Sequence, residues 1–202
     1  MIQFKEFPKM PRLSREMIIT EKIDGTNASI FIQNSNLEEA AIADFPEIIS
    51  ANNDYTMRVG SRTKWITPKD DNYGFANWCA KNAEELFNLG EGHHFGEWWG
   101  SGIQCGYNLA KGDKRFSLFN TSRWSDSGTD KRPSCCHTVP ELYRGIFDTN
   151  KINEVLDQLK TNGSYASPGF MKPEGIIIFH TAGNFGFKKT IEKDDVPKSL
   201  HK

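Results

Sequence analysis

Short runs that alternate apolar and polar residues dominate this chain of 202 residues and restrict the folds open to it. Alternation with a period of two predicts β-strands, because successive side chains of a strand point to opposite faces. Turn-forming Gly, Asn, Pro and Ser residues separate these runs. The predicted strands span residues 17–23, 28–33, 94–99, 115–120, 175–180 and 185–189.

Two segments have helical periodicity instead: residues 75–87, and residues 152–159 with Thr149 or Asn150 as the expected N-cap. Strands outnumber helices and do not alternate regularly with them, which disfavours a doubly wound parallel sheet. We therefore predict the α+β fold class, with largely antiparallel sheets flanked by helices. The length suits a single domain over residues 1–202.

Charge and hydropathy exclude several functional classes. A net charge of −1 gives no overall attraction for nucleic acid, so such a partner would need a local basic surface. No apolar run approaches the roughly 20 residues needed to span a bilayer, and the N-terminus lacks a secretory signal. These features predict a cytoplasmic protein with no membrane partner. Residues 121–140, rich in Ser, Asp, Gly, Lys and Arg, predict a long surface loop.

The segment Thr-Glu-Lys-Ile-Asp-Gly-Thr-Asn-Ala at residues 20–28 is the most informative for chemistry. Asp24-Gly25 lies between two strand-like runs, which predicts a tight hairpin turn. Lys22 then sits at the end of a strand, where sheet hydrogen bonds would hold a nucleophilic amine in place. The alternative is an ordinary exposed lysine beside an ordinary turn.

Five further motifs follow in the chain. They contain Arg62 in Ser-Arg-Thr-Lys, Glu97 in Phe-Gly-Glu-Trp-Trp-Gly, Phe119 after a strand-like run, Glu174 before an apolar strand, and Lys188 in Phe-Lys-Lys-Thr. In this order the set resembles the motifs of the covalent nucleotidyltransferases, which include DNA ligases, RNA ligases and mRNA capping enzymes. Asn27 occupies the place where DNA ligases and capping enzymes usually have Arg. With it, Glu-Lys-Ile-Asp-Gly-Thr-Asn is similar to the RNA ligase 2 type of ATP-dependent RNA ligase.

This resemblance implies an enzyme that joins RNA 3′-hydroxyl and 5′-phosphate ends through a lysyl-AMP intermediate and an adenylylated 5′ end. It implies ATP as the nucleotide, Mg²⁺ or Mn²⁺ held by Glu174, and Lys22, Asp24 and Lys188 as catalytic residues. An attacking amine must be neutral, and Lys188 with a metal ion would favour that form of Lys22. The residues implied in nucleotide binding are Glu21, Lys22, Asn27, Arg62, Glu97, Phe119, Glu174 and Lys188.

Several of these residues also have a structural interpretation. Phe119 would equally serve as a core residue, and Arg62 as part of a solvated basic loop. Glu97 could form a salt bridge on the strand surface, Asn27 could serve only in strand pairing, and Asp24 only as a turn former.

The chain departs from the family pattern at its end. The family has two lysines separated by one residue, whereas here Lys188 and Lys189 are adjacent and Thr190 takes the second place. The short remainder leaves no room for an appended C-terminal domain, so RNA would be held weakly by cations around the long loop. These cations are Lys111, Lys114, Arg115, Arg123, Lys131 and Arg132.

The expected partners are RNA ends in nicked duplex, structured RNA or an RNA/DNA hybrid, bound by a monomer. RNA repair in a bacterial or phage-infected cell is the implied setting. Two alternatives stay open: a minimal DNA ligase, and a module that binds nucleotides or nucleic-acid ends with little sealing activity.

Overall fold

A computed structural model describes residues 3–34 and 45–194. The chain forms two compact units, one from Met1–Lys22 with Pro140–Lys202 and the other from Ile23–Val139. The single domain predicted over residues 1–202 stays a prediction, and its residues 1–2, 35–44 and 195–202 lie outside the described residues.

Strands make up most of the regular structure. In chain order they are β1 (Glu16–Lys22), β2 (Thr26–Asn34), β3 (Ile48–Ala51), β4 (Tyr55–Gly60), β5 (Trp65–Ile66), β6 (Gly92–Gly100), β7 (Lys114–Leu118), β8 (His137–Thr138), β9 (Glu141–Ile146), β10 (Gly175–His180) and β11 (Phe185–Thr190). The helices are α1 (Phe75–Lys81), α2 (Ala83–Leu86), α3 (Thr121–Trp124) and α4 (Thr149–Asn162). Among the described residues, no helix has the length and apolarity needed to cross a bilayer.

The first unit is a four-stranded antiparallel sheet in the order β11-β10-β1-β9. Helix α4 packs on one of its faces. The buried residues in this core are Met17, Ile19, Val155, Leu159, Ile176 and Ile178. The odd residues of β1 and the even residues of β10 face the helix, as the alternation of a strand requires.

Helix α4 begins at Thr149, so its N-cap lies before both predicted caps. Its N-cap is Asp148, whose carboxylate accepts a hydrogen bond from the Asn150 N–H at 2.8 Å. The predicted caps, Thr149 and Asn150, are therefore wrong, because both already lie in the first turn. The helix ends at Asn162, and Gly163 follows as its C-cap.

The second unit is a larger sheet in the order β3-β4-β2-β6-β7-β8, with β5 paired to β4. Among its described pairs only β7 and β8 run parallel. Helices α1 and α2 contribute to the core on one face, where Phe75 packs against Trp98 and Phe116 with ring centroids 5.3 and 5.0 Å apart. The predicted α+β class with largely antiparallel sheets is confirmed.

The hairpin predicted at Asp24-Gly25 is wrong. Strand β1 pairs with β9 and β10, whereas β2 pairs with β4 and β6, so the two strands belong to different sheets. Gly25 does not adopt the left-handed conformation that a tight hairpin turn would demand. It is required for another reason, since a β-carbon there would lie 2.5 Å from the Trp98 carbonyl oxygen. Close backbone approach selects glycine as strongly as turn geometry does.

Two other local predictions need correction. The helical segment 75–87 is broken at Asn82, which separates α1 from α2. Residues 121–140, predicted as a loop, contain α3 and β8, and Trp124 in this segment is 2% exposed in the core. Burial of that indole orders a segment whose polar composition alone suggests a loop.

Candidate active site

Lys22 is the last residue of β1, and its amine contacts the carboxylate of Glu174. Lys22 pairs across the sheet with Gly175, the first residue of β10, which brings the preceding residue within reach of the amine. The two side chains are 20% and 12% exposed, so the ion pair is largely shielded but still open to a ligand. The amine of this ion pair becomes a nucleophile once it has lost its proton.

Lys188 lies on the same face of the sheet as Lys22. It pairs with Ile177 of β10, which in turn pairs with Thr20 of β1. Residues directly opposite each other in a sheet share a face, and Thr20 shares its face with Lys22 two residues later. The structure thus brings Lys22 into contact with Glu174 and places Lys188 on the same sheet face, two strands away.

Lys189 does not replace the second lysine of the family pattern. Its side chain projects from the opposite face of β11, and its amine lies 3.7 Å from the Asp194 carboxylate. Thr190 returns to the face of Lys188, but its hydroxyl donates a hydrogen bond to the Glu192 carbonyl at 2.9 Å. Neither residue therefore supplies a second cation beside Lys188.

Glu21 has a structural role that sequence reasoning did not assign. Its side chain is 1% exposed and points to the α4 side of the sheet. One carboxylate oxygen accepts a hydrogen bond from the Ser164 hydroxyl at 2.6 Å, and the other accepts from the Tyr165 and Ala166 N–H groups at 2.8 and 3.0 Å. Burial raises the pKa of Glu21 despite these bonds. The carboxylate fixes residues 164–166 against β1, and its predicted contact with nucleotide stays a prediction.

In the second unit, Asn27 and Glu97 pair directly across β2 and β6. Both project from the face of this sheet opposite α1, because their neighbours Ala28 and Trp98 belong to the buried core. The Gly25 N–H donates to the Glu97 carboxylate at 3.1 Å. The Asn27 side-chain amide and the Glu97 carboxylate therefore lie side by side on one face of the sheet.

Tyr107 positions the segment that carries Asp24. Its hydroxyl accepts a hydrogen bond from the Asp24 N–H at 2.7 Å. The side chain is fully buried, and its ring stands edge-on to Trp99 with centroids 5.1 Å apart. Sequence reasoning missed Tyr107, since Gly106 and Asn108 on either side of it indicate only a turn.

Phe119 follows β7 directly, and its ring is 40% exposed. Its N–H donates to the Phe95 carbonyl at 3.0 Å, which continues the pairing of β6 with β7. The core interpretation of Phe119 is therefore wrong, and an exposed ring is left for stacking. Arg62 is exposed in the turn between β4 and β5. Within this turn the Ser61 N–H donates a hydrogen bond to the Lys64 carbonyl at 2.9 Å.

Two of the cations predicted to hold RNA stabilise their own segment. Arg123 donates to Asp130 at 2.6 Å, and Arg132 lies 3.2 Å from Asp126. All four residues belong to the segment 121–140, so these pairs fold it on itself and reduce the charge open to RNA. Across residues 3–34 and 45–194, no group of three or more His, Cys, Asp or Glu side chains is arranged to hold a metal ion.

Comparison with solved structures places the fold in a known class. A variant of Naegleria gruberi RNA ligase with AMP and Mn is 18% identical, with a TM-score of 0.56 over 88% of this chain and 50% of that chain. A second variant with ATP and Mn gives the same values. The N. gruberi enzyme with PPi is 16% identical with a TM-score of 0.54. The chain therefore has the nucleotidyltransferase-type fold of RNA ligases, and it spans about half the length of these structures.

The sequence profile of the RNA ligase family matches residues 15–193. The chain belongs to this RNA ligase family. No curated protein sequence matches it significantly. The comparisons give no support to the alternative of a minimal DNA ligase.

Proposed function

We propose that this chain joins RNA 3′-hydroxyl and 5′-phosphate ends in an ATP-dependent reaction through a lysyl-AMP intermediate. The observation that carries the proposal is the half-buried contact of Lys22 with Glu174, on the sheet face that also bears Lys188. Membership of the RNA ligase family supports the reaction, and the N. gruberi structures with ATP, AMP and Mn support the choice of nucleotide.

The first step is attack of the Lys22 amine on the α-phosphorus of ATP. A nitrogen–phosphorus bond forms, the bond from that phosphorus to the bridging oxygen breaks, and pyrophosphate leaves. The amine must lose a proton for this, and the positive charge of Lys188 on the same sheet face would favour its neutral form. Lys188 would stabilise the negative charge that develops on the phosphates.

Glu174 would also hold Mg²⁺ or Mn²⁺. Its partly exposed carboxylate supplies the oxygen ligand that such ions prefer, and Mg²⁺ commonly needs only one or two carboxylates besides substrate phosphates. When bound, the metal ion would neutralise charge on the triphosphate.

The remaining predicted residues would bind the nucleotide or act at later steps. Glu97 would accept a hydrogen bond from the ribose, Asn27 beside it would contact phosphate, and the exposed ring of Phe119 would stack on adenine. Arg62 would contact the phosphates of ATP or of the RNA 5′ end. Asp24, with its backbone held by Tyr107, would position the amine or act in sealing.

AMP would then pass from Lys22 to the RNA 5′-phosphate, and the 3′-hydroxyl would displace it to seal the strand. Nicked duplex, structured RNA or an RNA/DNA hybrid would present such ends to a monomer. Repair of cleaved RNA in the cytoplasm of a bacterial or phage-infected cell is the setting that we propose on the family resemblance.

The test is covalent labelling with α-labelled ATP and Mg²⁺ or Mn²⁺. We expect a label on the protein that resists SDS, that is absent in Lys22→Ala, and that is retained in Lys160→Ala, which removes an exposed lysine of α4. Label in Lys22→Ala would contradict the proposed nucleophile. Labelled protein that seals neither nicked RNA nor single-stranded RNA would instead be the binding module.

A further inference from the structure

Four rings form a continuous aromatic strip on one face of the larger sheet: Phe31 of β2, Trp65 of β5, and His93 and Phe95 of β6. Trp65 and His93 are stacked with centroids 5.8 Å apart, and Phe31 stands edge-on to His93 at 5.5 Å. His93 and Phe95 lie 4.1 Å apart. The side chains order one another, because each ring contacts at least one other ring in the strip.

The aromatic strip is not part of the core. Trp65 is 43% exposed and Phe95 is 49% exposed, whereas Ile30 and Ile32 on the other face of β2 are fully buried. A solvent-facing side of an antiparallel sheet is ordinarily polar. Exposed aromatic rings at this position therefore indicate a surface that binds something.

The strip continues the surface that carries the proposed nucleotide residues. Asn27 and Phe31 share a face of β2, and Glu97, Phe95 and His93 share the same face of β6, because an even number of residues separates each from the next. At about 3.3 Å per residue, each step along β6 is roughly 6.6 Å. His93 thus lies roughly 13 Å from Glu97 along the strand.

The chemistry of the strip favours nucleobases as the occupant. Flat rings offer stacking area to any base, and an exposed aromatic sheet face is a common means of holding single-stranded RNA. Arg62, exposed in the turn just before Trp65, places positive charge beside the strip for the phosphates, whereas the Lys64 amine in the same turn pairs with the Asp70 carboxylate. Partial burial lowers the pKa of His93, so its ring is neutral near pH 7 and serves as an aromatic surface.

We propose that the aromatic strip stacks unpaired bases of the RNA substrate. This rests on the proposed function and extends it, since it assigns part of the RNA contact to the aromatic face of the larger sheet. The strip would hold RNA by ring contacts, with little dependence on base sequence.

The test measures binding of a fluorescently labelled single-stranded RNA by anisotropy. We expect Trp65→Ala and Phe95→Ala each to raise Kd by about fivefold or more, and Trp65→Phe to restore most of the affinity because it keeps a ring. Phe185→Ala removes a ring of β11 in the other unit that is still more exposed, at 61%, and it should bind like the unchanged protein. Thermal unfolding of each variant confirms that the fold is retained.

Unchanged Kd in folded Trp65→Ala and Phe95→Ala would overturn the inference. An equal loss in Phe185→Ala would do the same, since it would show a nonspecific effect of losing an exposed ring. Loss of self-association instead of RNA binding in Trp65→Ala would identify the strip as a protein interface and would also overturn it. Labelling of the unchanged protein with ATP is scored separately, so failure of the proposed function is recognised independently of the RNA measurement.

Discussion

Replacement of Gly25 by alanine tests why this position requires glycine. A β-carbon there would lie 2.5 Å from the Trp98 carbonyl oxygen, 2.8 Å from the Trp99 β-carbon and 2.9 Å from the Glu97 γ-carbon. All three atoms belong to β6, which is fixed by hydrogen bonds to β2 and β7 on its two sides. The segment that carries Gly25 must therefore move away.

The cost follows from this overlap. Overpacking of this kind destabilises by about 1–3 kcal/mol. For a chain of this length each kcal/mol lowers Tm by roughly 2–4 °C, so we expect Gly25→Ala to lose about 2–12 °C. The displaced Gly25 N–H also releases the Glu97 carboxylate, and a misplacement of about 1 Å at a reacting site can cost on the order of 100-fold in rate. Formation of the lysyl-AMP adduct should fall accordingly.

The assay is thermal unfolding by circular dichroism, followed by labelling with α-labelled ATP. Gly186→Ala is the matched control, because the nearest atoms to a β-carbon there are 3.8 Å away and the backbone is not left-handed. A Gly→Ala change at such a compatible site costs little stability or adds about 0.4–1 kcal/mol. Gly25→Ala with the Tm and labelling rate of the unchanged protein would refute the close-approach explanation.

Further predictions concern the anchors and charges of the site. Glu21→Ala leaves three hydrogen-bond donors without their acceptor and should lower the free energy of unfolding in urea by about 2–4 kcal/mol, with Glu21→Gln costing less. Lys188→Ala should slow adenylylation at least about tenfold, whereas Lys189→Ala should stay within about twofold, because that side chain faces Asp194 on the other side of β11. Burial lowers the pKa of His94 in the folded protein. As the pH falls through about 6.5, His94 therefore binds a proton in the unfolded chain before it does so in the folded one. Stability should therefore decrease from about pH 7 to pH 5, and less steeply in His94→Gln; an identical slope in both would argue against this source.

The apolar pattern located β1, β2, β6, β7, β10 and β11 but missed β4, although Met57 and Val59 of that strand are buried in the core. The predicted segment 175–180 coincides with β10, where four of the six residues are buried. Strands β3 and β9 were missed because their residues are only partly buried and carry no clear apolar period. Which strands pair could not be derived, since β1 finds its partners more than a hundred residues further along the chain. That distance is also why Asp24-Gly25 was misread as a hairpin.

The site was predictable mainly through the family resemblance. Lys22 and Glu174 are separated by 152 positions, and no local pattern indicates their contact. The role of Glu21 had a usable signal, because it follows Met17 and Ile19 at intervals of two and so belongs to the buried face of β1. Tyr107 had none, since only the folded chain brings its hydroxyl to Asp24.

The last two residues of β1 have different roles: Glu21 anchors the strand, and Lys22 presents its amine to Glu174. Glu21 is tied down by three hydrogen bonds on one side of the strand, and Lys22 reaches the other side with a long flexible stem. The peptide bond between them is planar and rigid, so the anchoring of Glu21 also fixes the Cα of Lys22. In the proposed reaction the amine would meet first ATP and then, as an adduct, a polynucleotide end, and its long side chain would reach both from a fixed backbone.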